Sequence, residues 1–375
     1  MSEEQKFKVT IDDITIEVAP GTTVLQAARM IGGDVVPPAM CYYSKLEGSG
    51  GKCRTCLVEV AQGSAKDPRP MPKLQASCRT TVMDGMVVKN ITSEKVLEAR
   101  KGVVEFLLIN HPLDCPVCDQ AGECDLQNLS YEHGADATRY EFGRRTFPVI
   151  DIGDKVKLHM NRCILCYRCV YVAQQLTDGR VHGILGRGDH SEISTYIHQA
   201  IDNDFSGNVI DVCPVGALTD KTFRFKNRVW FLKPMDAHRD CPKCSGKTVL
   251  WMRGDEIFRV TARKDQYGEV ESFICNECRY DKKEAKDWVI EGPRHINRDS
   301  VISQGHYEKT VMPRETVSRV MKGRKPKLLM DIHSVSAVNR PDIELSAIPG
   351  PASSDVFNQG PRQLEKGGKP EEESK

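Results

Sequence analysis

Residues 111–124 read HPLDCPVCDQAGEC, and this stretch decides how the rest of the chain is interpreted. It places His111, Cys115, Cys118 and Cys124 in the pattern H-x3-C-x2-C-x5-C. Three cysteines at this spacing are typical of a metal or cluster site, and the histidine stands where a fourth ligand would complete the set. The reason for a histidine there depends on the other cysteines of the chain.

The composition points to a soluble, metal-binding chain of several domains. It has 375 residues, which is enough for two or three domains, and 15 cysteines. Its formal net charge is only +1, so the charge gives no indication of nucleic-acid binding. The sequence contains no run of about 18 apolar residues and no N-terminal signal segment, so we expect a cytosolic chain without a membrane span. Because disulfides are rare in the cytosol and an odd count leaves one thiol unpaired, metal binding is the expected use of the cysteines.

All 15 cysteines fall into four groups, and His111 joins one of them. The groups are group one (Cys41, Cys53, Cys56, Cys78), group two (His111, Cys115, Cys118, Cys124), group three (Cys163, Cys166, Cys169, Cys213) and group four (Cys241, Cys244, Cys275, Cys278). Cysteines kept only for packing would not sort in this way, which favours four metal or cluster sites.

The spacings of groups one and three indicate iron–sulfur clusters. Group one has a central C-x2-C, a distant partner on each side and the glycine-rich LEGSGGK, a pattern related to the [2Fe–2S] sites of plant-type ferredoxins. Group three reads C-x2-C-x2-C with a remote Cys-Pro, the ligand signature of bacterial [4Fe–4S] ferredoxins. Zinc suits group three less well, because zinc sites usually pair their ligands as two C-x2-C arms.

Local patterns predict both strands and helices around these groups. The predicted elements are a hairpin over 6–18, a helix with a Thr23–Gln26 capping box that ends at Gly32, helices over 93–110 and roughly 121–133, and a hairpin turning at 253–255. From about residue 334 onward the chain is rich in Pro, Ser, Gly and charge, which predicts a tail without a fold of its own.

Three motifs closely resemble those of the large iron–sulfur subunit family of NADH–quinone oxidoreductases, the enzymes of respiratory complex I. They are AMCYYSKLEGSGGKCRTCLVEV, NHPLDCPVCDQAGECDLQ, and NRCILCYRCV with CPVGALTDK, and the resemblance covers roughly residues 5–290. It implies a [2Fe–2S] cluster on group one, a [4Fe–4S] cluster with one histidine ligand on group two, and an all-cysteine [4Fe–4S] cluster on group three. Most members continue into a molybdopterin-oxidoreductase-like domain, and this chain is expected to be a short bacterial form without it.

The fold is predicted as α+β, with five segments in series. They are an N-terminal β-grasp [2Fe–2S] ferredoxin domain (1–92), a His-Cys helical segment (93–140), a ferredoxin-like [4Fe–4S] segment (141–232), a small β metal-binding unit (233–290) and an irregular C-terminal tail, partly disordered or wrapped on partners (291–375). The Pro-rich stretch KDPRPMPK, between Cys56 and Cys78, is expected to lengthen a surface hairpin.

A histidine ligand changes the charge of a cluster. A neutral imidazole in place of a thiolate removes about one unit of negative charge, and histidine ligation raises the reduction potential of Rieske centres. Its second nitrogen can also donate to a neighbouring group. An isolated histidine after a helix is more often a cap than a ligand, but the cysteines that follow His111 favour ligation, and His133 is the weaker candidate.

Group four departs from the family pattern. Some bacterial members carry C-x2-C-x3-C-x27-C at this place and bind an additional [4Fe–4S] cluster. Here Thr248 occupies the position of the third cysteine, and Cys278 can supply the missing ligand. The resulting arms, CPKC and CNEC, suit tetrahedral zinc and a [4Fe–4S] cluster equally well, although the length between them exceeds the usual zinc-ribbon spacing. A site without metal is the third alternative. Either metal is expected to be structural or to lie off the electron path.

Three or more clusters without a substrate site predict an electron-transfer subunit. The sequence has no GxGxxG after a strand and no Walker motif, so nucleotide and flavin are expected on a partner. Electrons are expected to come from a flavin-bearing NADH-oxidising subunit and to pass, with ferredoxin-like and quinone-module subunits, toward quinone in a proton-translocating enzyme. The expected location is peripheral, on the cytoplasmic side of the inner (plasma) membrane.

Other functions remain open at this stage. A diaphorase-type subunit of an NAD-linked hydrogenase or formate dehydrogenase shares the electron-entry motifs. A zinc-stabilised scaffold without redox function would give a colourless protein. An iron-only hydrogenase is disfavoured, because its active centre needs further cysteines and all 15 are assigned.

Overall fold

A computed structural model of the chain describes residues 6–294, apart from residues 136–137, 141–142, 149, 178–180 and 197–198. The strands are β1 (Phe7–Ile11), β2 (Ile14–Val18), β3 (Leu57–Gln62), β4 (Gln75–Ala76), β5 (Met86–Lys89), β6 (Val156–Leu158), β7 (His182–Leu185), β8 (Glu192–Thr195), β9 (Leu218–Asp220), β10 (Lys233–His238), β11 (Thr248–Arg253), β12 (Glu256–Ala262) and β13 (Val289–Pro293). The helices are α1 (Val24–Ile31), α2 (Glu94–Leu108), α3 (Asp125–His133), α4 (Arg168–Leu176) and α5 (Asn208–Val212). From residue 295 onward, the tail predicted over 291–375 lies outside the described residues.

The N-terminal sheet has the strand order β2-β1-β5-β3-β4, in which β1 and β5 are parallel and the other pairs antiparallel. The predicted hairpin over 6–18 is confirmed, and both Asp12 and Asp13 have the positive φ that a tight two-residue turn requires. Helix α1 buries Val24 and Ala27 in the same core as Val9 of β1, and this apolar burial holds the helix on the sheet.

The predicted starts and ends of the helices are mostly confirmed. Thr23 and Gln26 form the capping box of α1, with Thr23 N donating to Gln26 Oε1 at 2.9 Å. Ser93 caps α2 through the N–H of Val96. Helix α3 begins at Asp125 rather than near residue 121, because residues 118–123 form two tight turns instead.

Arg100 joins α2 to the N-terminal sheet. Its side chain is buried, and it donates to Thr55 O at 3.1 Å and to the Asn90 side chain. A buried guanidinium requires such partners, so the contacts fix the position of α2. Because α2 ends three residues before His111, they also set where group two begins.

The central segment combines short paired strands with two helices. Strands β6 and β9 pair with each other, as do β7 and β8, and both pairs are antiparallel. Helix α4 packs against α5. The two helices bury Val172 and Val212 in a core that also contains Leu158 of β6 and Leu218 of β9.

The fourth segment is an antiparallel sheet in the order β12-β11-β10-β13. The predicted hairpin at 253–255 is confirmed, with Gly254 at φ +61°. Strand β13 crosses the segment boundary predicted at residue 290. After β12 the chain returns to the N-terminal segment, where the buried Glu269 accepts from Arg29 Nη1 at 2.6 Å.

Two further features concern the surface of the chain. The Pro-rich stretch predicted to lengthen a hairpin connects β3 to β4 and is exposed over residues 66–70. None of the helices among the described residues has the length and apolarity needed to cross a lipid bilayer.

Candidate metal centres

Group one lies beside the N-terminal sheet, and its four cysteines are each 6% exposed or less. The glycine-rich loop surrounds them with backbone donors: Gly51 N lies 3.2 Å from Cys78 Sγ, and Lys52 N lies 3.2 Å from Cys41 Sγ. Hydrogen bonds of this kind stabilise the charged form of a ligand sulfur. The loop is therefore built to hold thiolates.

Glycine is required at Gly50 for both conformation and space. Its φ is +98°, and a Cβ at this position would come 3.3 Å from Cys78 Sγ. Side-chain hydrogen bonding with Cys53 and Cys78 lowers the pKa of Cys41 and raises the pKa values of Cys53 and Cys78. These contacts favour the thiolate form of Cys41, which is the form of cysteine that binds iron.

The four cysteines of group three line one cavity, whose other walls are mostly apolar and include Leu158, Ile193 and Val215. Burial raises the pKa of the Cys166 thiol to about 12, and it also raises the pKa values of the other three thiols. Thiolates are costly in such surroundings unless a cation binds them. The cavity therefore fits a group that brings its own positive charge, as the iron core of a cluster does.

Arg168 connects group three to group one. It directly precedes Cys169, and its side chain is buried. Its Nη2 donates to Tyr42 O at 2.8 Å and to Ala39 O at 3.1 Å, on either side of Cys41 in the chain. A single buried cation therefore holds the backbone around ligands of both groups.

The same guanidinium also contacts residues directly beside two further ligands, Cys213 of group three and Cys124 of group two. Its Nη1 donates to Val212 O at 3.4 Å, directly before Cys213, and lies 4.0 Å from Asp125 Oδ2, directly after Cys124. Arg168 is consequently close to residues that adjoin ligands of groups one, two and three.

In group two, Cys118 and Cys124 are largely buried, whereas Cys115 is exposed. Burial lowers the pKa of His111 to about 4, so the imidazole is neutral at pH 7, the form that binds metals. Its buried Nδ1 finds no hydrogen-bond partner among the described residues. An orphaned buried nitrogen of this kind fits a residue that forms a ligand bond.

Group two packs directly on the segment that carries Cys213. The N–H of Asp125 donates to Pro214 O at 3.0 Å. Gly216 approaches Cys118 so closely that a Cβ there would lie well under 3.0 Å from its Sγ. Group three therefore contacts both other groups, and one hydrophobic core contains cysteines of all three.

Group four is the most compact of the four. Its sulfurs all lie within 4.8 Å of one another, and among the described residues no other set of three or more potential His, Cys, Asp or Glu ligands is as compact. Cys241 Sγ lies 3.7 Å from Cys275 Sγ, and Cys244 Sγ lies 3.7 Å from Cys278 Sγ. Both arms, CPKC and CNEC, contribute one sulfur to each of these pairs.

Sequence patterns predicted the cysteines and His111 as ligands but gave no role to Arg168 or Gly216. A basic residue directly before Cys169 was the available signal for Arg168. Gly216 was marked only by its place three residues after Cys213. Both positions matter through contacts with residues far away along the chain.

Three family models match successive parts of the chain. They are a 2Fe-2S iron-sulfur cluster binding domain (residues 4–93), the NADH-ubiquinone oxidoreductase-G iron-sulfur binding region (100–139) and the NADH-quinone oxidoreductase subunit 3, ferredoxin-like domain (153–219). The chain is 36% identical to an NADH-quinone oxidoreductase subunit of Rickettsia felis, over 87% of this chain and 46% of that protein. The chain belongs to the large iron–sulfur subunit family of NADH–quinone oxidoreductases. The predicted family is thereby confirmed.

Other members of this family match a similar part of the chain. The NADH-ubiquinone oxidoreductase 75 kDa subunit of Reclinomonas americana is 42% identical over 72% of this chain and 38% of that protein. The chain thus spans less than half the length of these curated relatives. Groups one, two and three each fall inside a different matched model, whereas group four lies outside all three ranges.

A solved structure gives a further likeness. A chain of an NAD+-reducing [NiFe]-hydrogenase in the H2-reduced state is 30% identical, with a TM-score of 0.51. The match covers 60% of this chain and 91% of that chain.

Proposed function

We propose that this chain is an electron-transfer subunit of an NADH:quinone oxidoreductase. It receives electrons from a flavin-bearing NADH-oxidising subunit and passes them toward a quinone-reducing module. Groups one, two and three hold one [2Fe–2S] and two [4Fe–4S] clusters, with the cysteines and His111 as ligands. When bound, the clusters supply one-electron carriers.

The observation that carries this proposal is the meeting of three ligand groups in one core. Cys53 of group one, Cys124 of group two and Cys169 of group three belong to the same hydrophobic cluster of buried residues. Electron tunnelling falls steeply with distance, so a relay must keep its carriers close together. Three separate stabilising metal sites would have no such requirement.

The residues of the chain prepare these sites in different ways. The N–H groups of the loop at Gly51 stabilise the sulfur charge of group one, and apolar walls around Cys166 keep water from group three. The cation of Arg168 offsets negative charge beside groups one and three. His111 contributes a neutral ligand and so makes group two less negative than a four-thiolate site.

The proposal includes a segment architecture and a location. We assign a β-grasp [2Fe–2S] domain to residues 1–92, a His-Cys segment to 93–140, a ferredoxin-like segment to 141–232 and a metal-binding β unit that begins at 233. The mixed N-terminal sheet with α1 across one face supports the first assignment. The chain is peripheral, at the cytoplasmic side of the membrane, and is held there by partner subunits.

A second candidate is a diaphorase-type subunit of an NAD-linked hydrogenase. The likeness to a chain of the NAD+-reducing [NiFe]-hydrogenase, 91% of which is matched, favours this alternative. In that case the electron donor and acceptor differ, while the cluster ligands stay the same.

Affinity purification of the full chain from its native membranes distinguishes the two functions. We expect a flavin-containing NADH-oxidising subunit and quinone-module subunits to co-purify, together with NADH-dependent quinone reduction. EPR of the NADH-reduced sample should show one [2Fe–2S] and two [4Fe–4S] signals from this chain. Hydrogen-dependent NAD+ reduction with a co-purifying nickel subunit would establish the second candidate, and a colourless preparation would reject both.

A further inference from the structure

The sulfur separations of group four match a single metal ion. In a tetrahedral site with Zn–S bonds of about 2.3 Å, ligand sulfurs lie roughly 3.8 Å apart. Cys241 and Cys275, and likewise Cys244 and Cys278, have sulfurs 3.7 Å apart, and all four sulfurs lie within 4.8 Å of one another. Two pairs on two different irons would lie farther from each other than this. In a [4Fe–4S] cluster each thiolate binds a different iron, which spreads the four sulfurs over a larger volume.

Group three provides an internal comparison. Its cysteines surround a cavity, and they do not form a compact set such as group four, the set of described residues whose ligand atoms lie within 4.8 Å. The same chain therefore contains an open arrangement at its ferredoxin-like motif and a closed one at CPKC and CNEC. We propose that group four binds one tetrahedral zinc ion in place of a fourth iron–sulfur cluster.

The surroundings of group four suit a site with four thiolates. Gly246 N lies 3.4 Å from Cys244 Sγ, and Arg239 Nη1 lies 3.6 Å from Cys278 Sγ. Four thiolates around Zn²⁺ leave a net charge of about −2, which a nearby guanidinium and N–H donors offset. Arg239 is in turn held by Glu277, 3.2 Å from its Nη2.

Zinc has no redox chemistry of its own, so this site carries no electrons and acts on structure. The CNEC arm is bound to the segment before α5 through Asn276. Its N–H donates to Asp204 O at 2.6 Å, and its Nδ2 donates to Asn203 O at 2.7 Å and to Ser206 Oγ at 2.9 Å. The CNEC arm is therefore hydrogen-bonded to the residues that lead into α5.

A buried ion pair extends this connection toward group three. Arg279, directly after Cys278, pairs with Asp211, and both side chains are 3% exposed or less. Asp211 lies two residues before Cys213, the remote ligand of group three. By fixing both arms, the zinc ion holds Arg279 in place and so positions the end of α5, which Cys213 directly follows.

Metal analysis and X-ray absorption of the full chain, purified anaerobically, test the proposal. By cluster formulae, groups one to three supply about 10 iron, and we expect about one zinc in addition. Zinc absorption should show a single shell of four sulfurs near about 2.3 Å. In Cys241→Ser the zinc content should fall at least about fivefold and the melting temperature should drop, because structural zinc contributes folding free energy.

Cys56→Ser is the matched control: it should lose about two iron and keep its zinc. Three wild-type results without zinc would overturn the proposal. About 14 iron would indicate a fourth [4Fe–4S] cluster, about 11 iron would indicate a single iron ion in group four, and about 10 iron would indicate an empty site. The wild-type measurements decide the question even if Cys241→Ser fails to fold. Zinc content is measured independently of iron content and of activity. The test of the zinc site can therefore be interpreted even if the proposed electron-transfer function is wrong.

Discussion

The guanidinium of Arg168 donates a hydrogen bond to the carbonyl oxygen of Tyr42 at 2.8 Å. The two residues are 126 positions apart in the sequence, yet Arg168 adjoins Cys169 and Tyr42 adjoins Cys41. The contact therefore fixes the separation of group one from group three. It also places a buried positive charge next to the two groups.

Replacing Arg168 by Met should lower the reduction potentials of the clusters proposed for groups one and three, because a reduced cluster carries more negative charge and loses a stabilising cation. Carbonyl oxygens left without a donor should reduce the free energy of unfolding by about 1–3 kcal/mol each. EPR-monitored redox titration and chemical denaturation measure the two effects. Arg168→Lys keeps the charge, so its potentials should stay near wild type while stability falls. Wild-type potentials in Arg168→Met would show that the charge has no influence.

Replacing His111 by Cys should keep a cluster on group two and lower its reduction potential, because a thiolate adds about one negative charge. Redox titration of the EPR signal measures the shift. His133→Cys is the control, since His133 is also a partly buried histidine but lies beside Arg100, at 3.5 Å from its Nη1. An unchanged potential in His111→Cys, or an equal shift in His133→Cys, would argue against His111 as the ligand.

Replacing Gly216 by Ala should remove the cluster signal of group two, because the new methyl group occupies the space of Cys118 Sγ. Iron analysis should show a loss of about four iron per chain. Gly102→Ala, in the interior of α2 where a Cβ meets open space, is the matched control. It should keep all iron and gain up to about 1 kcal/mol of stability. Full iron content in Gly216→Ala would contradict this close packing of Gly216 on Cys118.

Replacing Cys56 by Ser should abolish the [2Fe–2S] EPR signal, and the two [4Fe–4S] signals serve as the internal control. If the proposed function is correct, electron flow from NADH to quinone in the purified complex should fall steeply, because one carrier of the proposed relay is missing. An undiminished rate of quinone reduction would place this cluster off the main path.

The buried His182 should make the chain less stable in acid. Burial lowers its pKa from 6.5 to about 4, and neither ring nitrogen finds a hydrogen-bond partner among the described residues. Between these pH values the unfolded chain binds a proton that the folded chain does not, so folded stability falls as the pH falls, by roughly 1.4 kcal/mol per unit for this group. Denaturation of His182→Leu from pH 7.5 to 5 should show a shallower decline than wild type. Equal slopes would exclude this contribution.

The sequence by itself determined the features that depend on short spacings. The four cysteine groups, the turn at Asp12, the capping box at Thr23 and the Ser93 cap of α2 each involve residues only a few positions apart, or a repeated ligand motif. Local hydrogen bonding and ligand chemistry set these patterns, so they can be read without knowing how distant segments pack.

Only the tertiary structure decided what lies next to what. Helix α3 begins at Asp125 and not near residue 121 as predicted, because the residues around Cys118 form turns. The roles of Arg168 and Gly216 arise from carbonyls and a sulfur that lie about a hundred residues away. Group four shows the same limit, since thiolates suit zinc and iron alike. Only the clustering of all four sulfurs within 4.8 Å of one another, with two pairs at 3.7 Å, favours a single ion. These separations come from the packing of CPKC against CNEC, which bond angles and local propensities do not fix.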